Sequence, residues 1–177
     1  MRLFAGIFPA PDTLKEIWKV QEKLREAMKE GVRWVRKERL HITLRFYGDD
    51  ADLERTREHF LTAVDEAPSF SVRLVEISGF PSPRSARVIF LAPEYHRELF
   101  ELASRFEGVS PEQVTPHLTL GRLTKRRAVP AIPFDPIPFE VREVVLVHSI
   151  LGGANPHYEI VETKPLAEVR TPDQSSR

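Results

Sequence analysis

Two short phrases of this chain set the same chemical groups at the same spacing: HITL at His41–Leu44 and HLTL at His117–Leu120. Each puts an imidazole two residues before a hydroxyl. Side chains of a β-strand alternate between faces. His41 and Thr43 therefore share one face, with Ile42, Leu44 and Phe46 behind, and His117 and Thr119 repeat this with Leu118 and Leu120 behind. Two imidazoles and two hydroxyls around a small space suit a tetrahedral anion. An ordinary histidine pKa of about 6.5 lets one ring be neutral while the other is protonated near pH 7. The neutral ring can take a proton from attacking water and the charged ring can give one to the departing oxygen. Each transfer is worth roughly a hundred- to ten-thousand-fold in rate. In-line displacement at phosphorus places the two oxygens on opposite sides, so a two-sided cleft is the shape required. A single H-x-T in a strand is ordinary core; the repetition is what points to chemistry. The scheme uses no metal or other cofactor, and a His/His pair lacks the third ligand that zinc wants.

The elements that must carry these groups follow from periodicity and punctuation. Leu3–Phe8 reads as a buried strand, and Pro9 and Pro11 lead into a helix with Leu14, Ile17, Trp18, Leu24 and Met28 on one face. Val32–Val35 and His41–Tyr47 read as strands, Asp52–Val64 as a helix, and Phe70–Phe80 and Arg87–Leu91 as strands. Pro93–Phe106 has helical spacing, and His117–Leu123 is the second strand of the repeat. AVPAIPFDPIPF reads as an extended connector because of its four prolines. Val141–Leu151 and Tyr158–Val161 are the last strands, and 171–177 a loose tail. The halves match in order: RLFAGIFPAP, a helix and HITL against RVIFLAP, a helix and HLTL, each followed by an F-x-V-R-x-V strand. The offsets fall from 85 (87 − 2) to 76 (117 − 41) to 69 (139 − 70), as loop shortening in a duplicated unit would make them. The expectation is one α+β domain over 1–177, with pseudo-twofold halves around 2–80 and 87–166.

Composition narrows the function classes. The 177 residues are 41% hydrophobic and 29% charged, enough for a core and a soluble surface. Lys+Arg and Asp+Glu are both 26, which argues against a broad non-specific nucleic-acid coat. The absence of cysteine removes disulfides, thiol catalysis and thiolate metal sites. The apolar start is too short for a signal peptide, and no run approaches a membrane span. A cytoplasmic monomer that does not enter a membrane is expected.

Paired H-x-T-x motifs, one per lobe, resemble the signature of the two-histidine phosphoesterases. RLFAGIFP, VRWV before HITLRFYGD, FPSPRSARVIFLA and PHLTLGR look more narrowly like the RNA 2′,3′-cyclic phosphodiesterases, historically called 2′-5′ RNA ligases. The likeness runs from Arg2 to about Leu166. It implies a bilobal fold with two antiparallel sheets lining a central cleft and helices outside. It also implies hydrolysis of a 2′,3′-cyclic phosphate, on RNA ends or small cyclic nucleotides, to a 2′-phosphate, with weak reverse ligation. The family pattern puts the proton donor on His41, the acceptor on His117, and phosphate-binding groups on Thr43, Thr119 and Arg122. The residues themselves leave the order of the two histidines open. A non-catalytic RNA-end or nucleotide-binding module using the same cleft is the rival reading.

Other residues carry weaker expectations. Arg45 shares parity with His41 and Thr43, so an undistorted strand aims it into the cleft. Arg122 has the opposite parity to His117 and needs a bend or bulge near Gly121. The basic runs RWVRKER and RLTKRR flank the catalytic strands and could steer an RNA backbone, although such runs are usually solvated faces. Trp34, Phe46 and Tyr47 are candidates to stack a base, with Phe46 better suited to the core. His59 and His96 are expected at the surface, and His148 and His157 have no assigned role.

Overall fold

The computed structural model describes residues 1–152 and 157–168, so the tail expected at 171–177 lies outside the described residues. The strands are β1 (Leu3–Ile7), β2 (Val32–Trp34), β3 (Ile42–Gly48), β4 (Phe70–Phe80), β5 (Ala86–Pro93), β6 (Leu118–Arg127), β7 (Ile137–Val141), β8 (Glu143–Ile150) and β9 (His157–Pro165). The helices are α1 (Pro11–Ala27), α2 (Leu53–Val64) and α3 (Arg97–Glu107), with short 3-10 turns at Lys37–Arg39 and Pro111–Gln113.

Local chemistry sets the helix ends. Pro11 opens α1, where its missing N–H costs nothing, and Ile17, Val20 and Leu24 form its buried stripe. Asp52 caps α2 by accepting the Arg55 N–H at 2.8 Å. Gly108, at φ 67°, ends α3 in the left-handed conformation that glycine adopts cheaply. The start of α3 differs from the helix expected from Pro93: β5 continues as far as Pro93, which still pairs with Leu74, so the helix waits until Arg97.

The strands follow the order β7-β4-β5-β6-β3-β1-β8-β9, with β2 also pairing β6. The two antiparallel sheets expected from the repeat run into one sheet, joined between β3 and β6 through the Ile42–Leu118 pair. Read outward from that pair, the two sides match: β3, β1, β8, β9 on one and β6, β5, β4, β7 on the other. β4, from the first half of the chain, pairs with β5 of the second, and β8 returns to pair with β1.

The helices pack their apolar faces into one core with Ile42, Leu44, Leu118 and Leu120. A separate small cluster, Phe4, Val145 and Val147 with Phe8 and Tyr158 against it, covers part of the sheet's other face. The proline-rich segment is an extended connector only up to Pro136. From Ile137 it pairs with β4, with Pro138 opposite Arg73. β7 is an edge strand, where a residue without an N–H is tolerated. The Thr13 hydroxyl donates to the Pro138 carbonyl at 2.9 Å, tying α1 to that edge. No described helix is long and apolar enough to cross a membrane.

Candidate active site

The repeated phrases carry a repeated irregularity. On β3, Thr43 pairs with Gly6 and Arg45 with Ala5, so Leu44 is an extra residue. On β6, Thr119 pairs with Phe90 and Gly121 with Ile89, so Leu120 is extra in the same position of the motif. A bulge resets the alternation of faces beyond it. That explains two departures from strand parity. Arg45 does not turn toward His41: its guanidinium donates to the Phe106 carbonyl at 3.1 Å and lies 3.4 Å from the Glu107 carboxylate, at the end of α3. Phe46 is not core: it is 47% exposed and lines the cleft, opposite Phe4 on β1. Arg122, the counterpart of Phe46 two residues past the extra residue of its own bulge, lines the same cleft.

That cleft, of about 470 Å³, gathers His41, Thr43, His117, Thr119 and Arg122. Each imidazole is fixed through Nδ1, which lies against the backbone carbonyl two residues earlier. His41 Nδ1 is 2.6 Å from the Arg39 oxygen, and His117 Nδ1 is 2.8 Å from the Thr115 oxygen. A carbonyl can only accept, so Nδ1 carries a proton in both rings and Nε2 is the nitrogen free to exchange one. His41 Nε2 is 3.0 Å from the Thr43 hydroxyl, which donates to it when the ring is neutral. His117 Nε2 makes no such bond to a described residue.

Aromatic rings set the imidazole planes. His41 is sandwiched between Phe4 and Phe8, with centroids at 4.7 and 5.0 Å and planes within 26° of parallel, and Tyr158 stands edge-on at 5.9 Å. His117 meets the edge of Phe80 at 4.9 Å and Phe90 at 5.2 Å. Gly6 makes room for the first ring, since a Cβ there would stand 3.1 Å from His41 Cδ2. This enclosure disfavours charge. Burial drives the His41 pKa down to about 4 against the pull of the Arg39 carbonyl, and His117 pushes it in the same direction. His117 is lowered too, first by burial and then by the Arg122 guanidinium, against the Thr115 carbonyl.

Further groups line the cleft that strand periodicity did not single out. Arg2 places its guanidinium 4.6 Å over the Phe46 ring and pairs with Asp49. Arg39 lies 5.5 Å over the Tyr158 ring, and Ser149 adds a buried hydroxyl. β1 is buried at every position, so it shows no alternation from which Phe4 could be assigned to the cleft. Gly6 was the available signal, because glycine inside a strand marks a close approach. Of the proposed base-stacking residues only Phe46 reaches the cleft. Trp34 packs on the core beneath the Arg25 guanidinium at 5.2 Å, and the Tyr47 hydroxyl meets His59 Nδ1 at 2.9 Å. His59 is exposed, as expected, whereas His96 is only partly exposed and stacks on Phe70 at 5.1 Å.

Known proteins resemble this chain over nearly its full length. The family model for the LigT like phosphoesterases matches residues 7–90. An RNA 2′,3′-cyclic phosphodiesterase of Methanocaldococcus jannaschii is 31% identical over 176 residues, spanning 92% of this chain and 99% of that protein. Another of that name, from Thermotoga maritima, is 29% identical over 177 residues, spanning 91% and 93%. The crystal structure of E. coli LigT complexed with 3′-AMP superposes with a TM-score of 0.72 at 24% identity, covering 93% of this chain and 97% of that one. Agreement that runs end to end in both directions leaves little of the chain outside the likeness, and the chain belongs to the LigT-like phosphoesterase family.

Proposed function

We propose that this protein hydrolyses the 2′,3′-cyclic phosphate of RNA ends or small nucleotides to a 2′-phosphate, with its own two histidines as acid and base. The observation that carries this reading is the matched pair of imidazoles. Each is held at Nδ1 by the carbonyl two residues back, and both belong to one cleft beside the threonine of the same strand. The curated relatives bear the name RNA 2′,3′-cyclic phosphodiesterase, which agrees with it.

In this reading His117 Nε2, without a described protein partner, takes the proton from water as its oxygen attacks phosphorus. The P–O3′ bond breaks, and Nε2–H of His41 protonates the O3′ that leaves. The products are a 2′-phosphate and a free 3′-hydroxyl, and the two histidines have exchanged protonation states. Thr43 and Thr119 donate to the non-bridging oxygens, and the Arg122 cation offsets the charge that accumulates there. Arg45 falls outside this set.

Both rings are neutral at pH 7 in the free site, because burial lowers both pKa values. The donor therefore acquires its proton with the phosphate anion in place, since a neighbouring negative charge favours the imidazolium. We propose that the whole chain acts as one bilobal unit, each half supplying one histidine and one threonine. The test is turnover of a 2′,3′-cyclic nucleotide in the presence of EDTA. Wild type should form the 2′-monophosphate, and His41→Ala and His117→Ala should each lose it while remaining folded. Full activity in either variant overturns the assignment, and binding without product in the wild type favours a non-catalytic module.

A further inference from the structure

The sheet row that contains Arg122 continues beyond the cleft. Arg33 on β2 stands directly opposite Arg122 in the β2–β6 ladder, and Val88 of β5 flanks Arg122 on the other side. Opposed residues of an antiparallel pair have Cα atoms about 4.5–5.5 Å apart and point to the same face. Arg33 therefore extends the lip of the cleft that Arg122 lines. Both arginines are exposed, and among the described residues neither is held by a carboxylate. Elsewhere on the surface Arg57, Arg73, Arg97 and Arg142 each hold a glutamate. Like charges facing each other across a ladder destabilise it. The chain carries no net charge, so general basicity does not account for the pair. Two uncompensated guanidinium groups side by side, the nearer one at the histidine cleft, match consecutive phosphates of a single strand.

We propose that Arg122 keeps to the cyclic phosphate in the cleft, and that the RNA strand leaving on the 5′ side crosses this row with its first backbone phosphate on Arg33. The protein then prefers oligoribonucleotide ends to cyclic mononucleotides. This rests on the hydrolase reading above and adds to it the class of substrate and a specificity residue, Arg33, that contacts no reacting atom.

The test compares binding of a fluorescent oligoribonucleotide ending in a 2′-phosphate with that of the matching 2′-mononucleotide across a salt series. The oligomer should bind more tightly and with the steeper salt dependence. Arg33→Ala should weaken oligomer binding roughly five- to tenfold and reduce its log–log salt slope by about 0.7, the share of one phosphate contact on a single strand. Arg33→Lys should restore most of the slope, and Arg97→Ala on α3 should leave affinity at the wild-type value. Wild-type affinity and slope in Arg33→Ala, or equal affinities for the two ligands, overturns the proposal. Turnover of a cyclic mononucleotide, followed in parallel, judges the hydrolase reading separately. Salt-dependent oligomer binding that responds to Arg33 without any turnover leaves this row standing and removes the catalysis.

Discussion

His41 sits between two phenylalanine rings, and this enclosure makes its own protonation costly in the folded chain. A neutral imidazole suits that slot and a charged one does not, so its pKa falls to about 4 from an ordinary 6.5. The unfolded chain then binds one more proton than the folded chain between those values. Stability from this group is present in full above pH 6.5 and is lost as pH falls toward 4, by up to ~3 kcal/mol. His41→Asn should flatten that acid limb in a urea titration repeated at several pH values; a limb as steep as wild type would place the lost stability elsewhere. The same depression shapes the kinetics. Both histidines are lowered in the free site, so the optimum of kcat/KM should lie below pH 6.5. Bound phosphate raises both, so the optimum of kcat should lie higher. Coincident optima would mean that the anion does not stand beside the rings. With the two rings as the proposed acid and base, loss of either should lower kcat roughly a hundred- to ten-thousand-fold. The imidazoles and threonines were legible from residue type and spacing alone. Arg45 was misplaced and Phe46 assigned to the wrong face, because both lie beyond a bulge that alternation does not reveal.

At the scale of elements, the bulges at Leu44 and Leu120 decide which side chains of the motif face the cleft. They hold histidine and threonine on the cleft face and then bring Phe46 and Arg122 back to it. The second bulge is anchored from behind by Gln21 of α1, which is wholly buried. Its Nε2 donates to the Leu120 carbonyl and to the Val35 carbonyl, both at 2.8 Å. Gln21→Leu should cost about 1–3 kcal/mol, because the Val35 carbonyl loses a buried donor. It should also lower kcat by loosening the strand that carries His117. A thermal melt and a turnover assay on the same sample check both, and unchanged kcat would separate the anchor from the site. On the other side, Gly6→Ala would set a methyl group 3.1 Å from both the His41 ring and the Ile42 carbonyl. The backbone cannot yield, so the ring must. A fall in kcat larger than the fall in stability is expected, whereas equal activity would show that the slot is looser than its geometry. The helix stripes were readable locally. The start of α3 and the existence of β7 were not, because pairing partners far along the chain decide them.

The molecule as a whole is organised about the Ile42–Leu118 pair, and strand exchange across it ties the halves together. β4 belongs to the first half of the chain but pairs with β5 and β7, and β8 of the second half lies between β1 and β9. Neither half can complete its sheet without the other. Unfolding should therefore be a single transition with coincident curves by circular dichroism and tryptophan fluorescence; two separated transitions would show independent lobes. The matched order of strands, helices and motifs made the duplication visible in the sequence. The merging of two sheets into one was not visible, since it depends on the pairing of two aliphatic residues that would be buried in either case. The most direct measurement of the central claim is product analysis with an oligoribonucleotide ending in a 2′,3′-cyclic phosphate, incubated in ¹⁸O-water with EDTA. The account predicts a 2′-phosphate carrying one solvent oxygen and an unlabelled 3′-hydroxyl. A 3′-phosphate, or no product from a folded protein, would contradict it.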